Sequence, residues 1–372
     1  MKLSRVGTSV AMTAIAALTL VGCAAGGEQG GNEGGSDLPK YSPAEQLEGK
    51  LSATGASSQE KAQVAWLADY AGLQAGVDVK YEATGSGTGR DNFVAGTSNF
   101  IGSDRAFKAE ELKENKFAVC KDGTDLVEIP VYISPIAIAY NLPEVEALNL
   151  DADTIAKIFD GKIEKWNDPA IAALNEGVEL PDTKITPVHR GDDSGTTENF
   201  MDYLSEVAPD SWKYEADKVW PKEIKGGEAA DQTAGVAAAI EGGEGTIGYL
   251  DASAAGELQT AAVKSGEEFV EYTPEAAAAI VENSKLEEGR AATDLAYELN
   301  FEGGNGGYPI VLVSYLIGCA EYQDAETGKL VKDYFSYVIS PAAQALAAEK
   351  AGSAPISDGI REKAQAAVDA IK

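Results

Sequence analysis

The chain has 372 residues and a formal net charge of −30, with 44% hydrophobic residues. That charge excludes nucleic acid as a partner, because a phosphate backbone demands clustered Lys and Arg. It also argues against long-range attraction of a small anion, so any anion bound here must be held by local dipoles and hydrogen bonds.

Met1-Lys2-Leu3-Ser4-Arg5 is followed by an apolar run from Ala11 to Val21 and then by Leu20-Val21-Gly22-Cys23. A positive flank, a short apolar core and small residues describe a secretory signal over residues 1–22, too short to span a membrane. The Leu-Val-Gly-Cys order resembles the lipobox of bacterial lipoproteins, which implies cleavage before Cys23, lipidation of its sulfur, and attachment to the outer face of the cell membrane. The glycine-rich segment that follows suits a flexible tether over residues 23–44. The 350 residues left when 22 are removed from 372 exceed what one core usually serves, so two domains are expected. An exported compartment favours a disulfide between Cys120 and Cys319 over two free thiols.

Gln59 to Leu73 carries Val64, Leu67 and Ala71 at helical spacing, with Ser57 and Ser58 at its start, either as plain N-caps or as donors to an anion. Val77, Val79 and Tyr81 alternate as a strand and run into Thr84-Gly85-Ser86-Gly87-Thr88-Gly89-Arg90, a glycine loop that offers Ser86 to a ligand or merely turns the chain. Asn99 to Ser103 reads as a short strand delivering Asp104 at its C-terminal end, where open α/β sheets bind ligands. Two alternating runs, Val127 to Ile133 and Ile136 to Tyr140, are interrupted by Pro130 and Pro135 and read as a hinge crossing. Strand-like pieces at Ile185 to Val188 and Thr246 to Leu250 alternate with helical patterns around Ile155 and between Thr233 and Ile240, as a second α/β domain requires. Gly307 to Cys319 is apolar enough for a buried strand returning the chain to the first domain, and Leu330 to Ile339 and Ala342 to Ala351 read as helices.

Between these elements lies His189-Arg190-Gly191-Asp192-Asp193-Ser194-Gly195-Thr196-Thr197. A guanidinium, three hydroxyls and a glycine stand directly ahead of an amphipathic helix, whose first N–H groups have no intrahelical acceptor. A hydrolase using Ser194 would need a base, and His189, the chain's one histidine, sits in a strand with a structural role. No metal-ligand spacing is present and no cofactor is expected.

Several segments, in this order, resemble the phosphate-binding proteins of Pst ABC transporters. They are Gly85 to Gly89, Gly102-Ser103-Asp104, Ile158-Phe159-Asp160-Gly161-Lys162-Ile163, Arg190 to Thr197 and Gly245-Thr246-Ile247-Gly248-Tyr249. The resemblance implies an α/β, two-lobed type II periplasmic-binding fold, each lobe a mixed sheet flanked by helices and the lobes joined by two hinge strands. Lobe I would comprise residues 45–130 and 309–372, and lobe II residues 131–308. The resemblance further implies a non-enzymatic monomer that binds inorganic phosphate and docks on ABC permease subunits. Its ligand set would be Ser57, Ser58, Ser86, Asp104, Arg190, Ser194, Gly195 and Thr196, with Asp192 orienting Arg190. A carboxylate accepts but cannot donate, so Asp104 would select an anion that still carries a proton and reject sulfate or molybdate, the alternative ligands.

Overall fold

A computed structural model describes residues 40–301 and 306–372. The leader, Cys23 and the tether as far as residue 39 lie outside the described residues. Within the expected tether, Tyr41 is already packed: its hydroxyl donates to Asp333 Oδ1 at 2.7 Å and its ring meets Tyr337 edge-on.

The first layer begins with β1 (Gly49–Gly55), α1 (Glu60–Leu73) and β2 (Val77–Glu82). Gly55 has φ +142°, and a Cβ there would stand 2.0 Å from the Gly102 carbonyl oxygen, so only glycine lets the end of β1 close on its neighbour. Helix α1 forms as expected but buries another face than Val64, Leu67 and Ala71 suggest. Ala62, Gln63, Trp66 and Tyr70 point inward while Val64 is 64% exposed. Trp66 and Tyr70 decide the orientation, because they bring the most apolar area one turn apart and Trp66 Nε1 finds the Ala343 carbonyl at 2.8 Å. The glycine-rich stretch after β2 is less of a loop than expected: from Ser86 it is already helical, as α2 (Ser86–Ala95), and leads to β3 (Phe100–Ser103).

The two runs read as separate strands form one continuous strand, β4 (Leu126–Tyr140), with all fifteen residues buried. Both prolines are tolerated because they sit where the ladder is already irregular. Pro130 stands opposite Tyr315 at a register shift, and Pro135 is the last β4 residue before pairing passes to another strand. Further along come β5 (Thr186–Arg190), α3 (Gly195–Val207), β6 (Glu228–Ala230), α4 (Gln232–Gly242), β7 (Thr246–Asp251) and β8 (Val311–Cys319). Among the described residues the main sheet runs β2-β1-β3-β8-β4-β7-β5-β6. Residues 126–135 of β4 pair antiparallel with β8, whereas residues 136–140 pair antiparallel with β7, so this one strand belongs to both lobes. β1, β2 and β3 are parallel on one side and β5, β6 and β7 on the other. The site residues follow the C-terminal ends of β1, β3 and β5, where a parallel sheet leaves a crevice.

Helices α5 (Ala325–Val338), α6 (Pro341–Ala351) and α7 (Asp358–Asp369) cover the first lobe. The last was not anticipated, since its apolar residues Ile360, Ala364, Ala367 and Val368 are small and diluted by charge. Cys120 and Cys319 form a disulfide that joins positions 199 residues apart and fixes the end of β8 to the segment before β4. No helix among the described residues is long and apolar enough to cross a membrane.

Candidate functional site

Asp104, one residue past β3 and 2% exposed, is the centre of a buried polar cluster. Its Oδ1 accepts from Ser58 Oγ at 2.5 Å and from Ser314 Oγ at 2.6 Å, and Oδ2 accepts from Thr196 Oγ1 at 3.3 Å. Its backbone N–H donates to Ser86 Oγ at 3.1 Å, and its carbonyl accepts from Asn199 Nδ2 at 2.8 Å. Three hydroxyls thus donate to this one carboxylate. Oδ1 is engaged twice and Oδ2 once, by the longer bond, so Oδ2 is the less committed oxygen.

The opposing side is built by β5 and α3. Arg190 ends β5 and is 3% exposed; Nε donates to Asp192 Oδ1 at 2.6 Å and Nη2 to Asp192 Oδ2 at 2.5 Å. This bidentate pair satisfies two of the guanidinium nitrogens and leaves Nη1 for another acceptor. Burial would push the Asp192 carboxyl up, but the hydrogen bonds and charge of Arg190, with the Gln232 N–H at 3.0 Å, hold it below the usual carboxylate range. Ser194 caps α3 by accepting from Thr197 N at 3.1 Å, so its oxygen is committed to the helix end. Gly195 and Thr196 are the next two residues, and their N–H groups have no intrahelical acceptor. A Cβ at Gly195 would lie 2.6 Å from Ser86 Oγ and 2.7 Å from Asp104 Cβ, which is why the two sides meet here only through a glycine.

The structure therefore brings Ser58, Ser86, Asp104, Gly195 and Thr196 into direct contact, with Arg190 and Asp192 paired beside Gln232. Ser57 lies to the side, its hydroxyl 3.0 Å from Thr233 Oγ1 at the start of α4. Gln232 takes a left-handed φ of 61°, rare for a residue with a side chain, and its Nε2 donates to the Ala83 carbonyl at 2.6 Å across the cleft. His189 stacks on Trp220 with ring centroids 4.8 Å apart, its Nδ1 lies 2.9 Å from the Arg190 carbonyl, and burial pushes its pKa down. Among the described residues no group of three or more His, Cys, Asp or Glu could hold a metal ion.

Two contributors escaped the sequence reading. Ser314 sits inside the apolar run of β8, and Gln59, at the start of α1, donates to Ser314 Oγ at 2.7 Å and so aims that hydroxyl at Asp104. The signal was a serine amid wholly buried strand residues, which must find a polar partner. The partner's identity is a tertiary fact, since Gln59 and Ser314 are 255 positions apart.

A parallel-sheet crevice between two lobes, lined by helix starts and polar side chains from both, defines the type II periplasmic-binding fold of solute-binding proteins. The model of the PBP superfamily domain matches residues 40–342. Phosphate-binding protein PstS 2 of Mycobacterium tuberculosis is 33% identical over 380 aligned positions, covering all of both chains. Phosphate-binding protein PstS 3 of Mycobacterium leprae is 34% identical over 385 positions, again covering both fully. The crystal structure of a phosphate-binding protein from Stenotrophomonas maltophilia superposes with a TM-score of 0.66 at 21% identity, over 86% of this chain and 93% of that one. The chain belongs to the PstS family of phosphate-binding proteins within the PBP superfamily.

Proposed function

We propose that this protein captures inorganic phosphate between its lobes and hands it to the permease subunits of an ABC importer, from the outer face of the cell membrane and anchored through lipid on Cys23. It acts as a monomeric carrier without enzymatic activity. Lobe I is assigned to residues 45–130 and 309–372 and lobe II to residues 131–308, a division supported by the change of partner along β4. Arg190 Nη1, the N–H groups of Gly195 and Thr196, and the hydroxyls of Ser57, Ser58, Ser86, Ser194 and Thr196 are assigned to the ligand or to its immediate support, with Asp192 orienting Arg190.

The observation that carries this reading is the pairing of a hydroxyl-saturated carboxylate, Asp104, with an anion-attracting helix start directly opposite. Donors alone would fit any oxyanion, and a lone acceptor among them fits only one that brings a proton. Monohydrogen and dihydrogen phosphate do so and sulfate does not. Isothermal titration calorimetry with phosphate and sulfate tests the proposal: saturable phosphate heat at one ion per chain and none with sulfate is expected, and the absence of phosphate heat or equal response to both refutes it.

A further inference from the structure

Glu198, in the first turn of α3, turns its side chain away from solvent and into lobe I, where it is 7% exposed. Three cations of lobe I converge on it. Arg90 Nη2 lies 3.3 Å from Oε2, and Arg105 Nε and Lys108 Nζ lie 2.7 and 3.1 Å from Oε1. Arg90, itself 3% exposed, also donates to Ser103 Oγ at 2.9 Å, and Arg105 follows Asp104 directly, so these cations flank the proposed ligand site. Glu111 neutralises only one of them, through a bidentate pair with Arg105 at 2.7 and 2.9 Å. Without Glu198, these three cations and Glu111 sum to two positive charges, with Asp104 on one side of them and the exposed Glu110 on the other. A cavity of about 480 Å³ runs from Arg105, Lys108 and Glu198 to Asp104 and Asn199; Asp202 and Glu206, which share α3 with Glu198, line it too, as do Glu110, Glu287 and Glu298.

Asp104, Arg190, Ser86 and Thr196 are each 3% exposed or less, so an ion reaches them only when the lobes separate. Separation carries Glu198 away with α3 and uncovers the three cations at the moment an anion must be drawn in. We propose that Arg90, Arg105 and Lys108 form a second, transient oxyanion site on lobe I, filled by the Glu198 carboxylate when the lobes are closed and by incoming phosphate when they are open. The inference rests on the phosphate reading above. It reconciles a net charge of −30 with capture of an anion, because a focused local field raises the encounter rate whatever the distant surface carries.

Stopped-flow measurement of phosphate association and release between low and high salt tests this, using the wild-type protein, Lys108→Ala, Glu198→Gln and the control Lys350→Ala, which removes a lysine paired only with its neighbour Glu349. Lys108 is half exposed, so its removal leaves the fold intact. Lys108→Ala should slow association about threefold or more at low salt and flatten its salt dependence. Glu198→Gln should do the opposite to association while quickening release, because the open site gains positive potential and the closed one loses its clasp. An association rate for Lys108→Ala equal to that of the control overturns the second site while leaving phosphate capture standing. Failure of the wild-type protein to take up phosphate overturns both.

Discussion

Replacing Asp104 by asparagine changes one atom's hydrogen-bonding character and very little shape. The amide oxygen can take the place of Oδ1 and still accept from Ser58 and Ser314, which leaves the amide NH2 where Oδ2 stood, facing Thr196 and the ligand. A charge-assisted hydrogen bond to the phosphate proton is lost, worth about 1.5–3 kcal/mol, so phosphate affinity should fall by about tenfold to 150-fold. Sulfate moves the other way. A full carboxylate 4 Å from an unprotonated oxyanion is repelled by about 4 kcal/mol at an effective dielectric near 20, and removing it relieves up to about 700-fold of exclusion. The phosphate-to-sulfate preference should therefore collapse by at least about a hundredfold in paired calorimetric titrations. A variant that binds phosphate as the parent does, and still gives no heat with sulfate, would show that Asp104 is a structural acid and that selectivity lies elsewhere.

Arg190→Ala removes the cation proposed to hold the ligand and strands Asp192, so phosphate affinity should drop by at least about a hundredfold, whereas Lys162→Ala, at an exposed lysine paired with Asp160, should cost less than about twofold; equal losses in the same titration would count against the site. Gly195→Ala would put a methyl within 2.7 Å of both Ser86 Oγ and Asp104 Cβ, so the lobes should fail to close, seen as a larger radius of gyration by small-angle scattering under saturating phosphate; a scattering curve matching the parent's refutes this. Asp251, fully buried at the end of β7 and bonded to Tyr132, is pushed up to about 6 by burial, from an ordinary 3.8. The folded state then holds its proton more tightly than the unfolded chain, so Asp251 favours folding most below pH 4 and this advantage is lost as pH rises to 6, about 3 kcal/mol in all. Asp251→Asn should be free of that loss, and a stability gap between variant and parent that does not widen from pH 4 to pH 7 in urea melts refutes the assignment.

Arg190, Asp192, Ser194, Gly195 and Thr196 lie within seven positions and announce themselves, because a strand end, a tight turn and a helix start are local events. The spacing also located several of the strands and helices around them, Val77–Glu82, Thr246–Asp251 and Val311–Cys319 among the strands. Two local readings were overturned by distant partners: α1 turned its Trp66 face inward to meet Ala343, and the two proline-broken runs fused into β4 because β8 and β7 share its length.

The order of residues carries the chemistry on offer: hydroxyls and glycines before helices, one arginine with its acid two residues on, and an aspartate at a strand end. Which of these groups face one another is settled by the folded chain alone. Ser314 reaches Asp104 from late in the chain and is itself held by Gln59 from early in it, and Glu198 enters a nest of three cations about a hundred residues upstream. Such pairings cost loop-closure entropy that grows only slowly with separation, so a distant partner is nearly as accessible to the fold as a near one. Periodicity reports on neighbours one turn or two residues away and carries no record of those contacts.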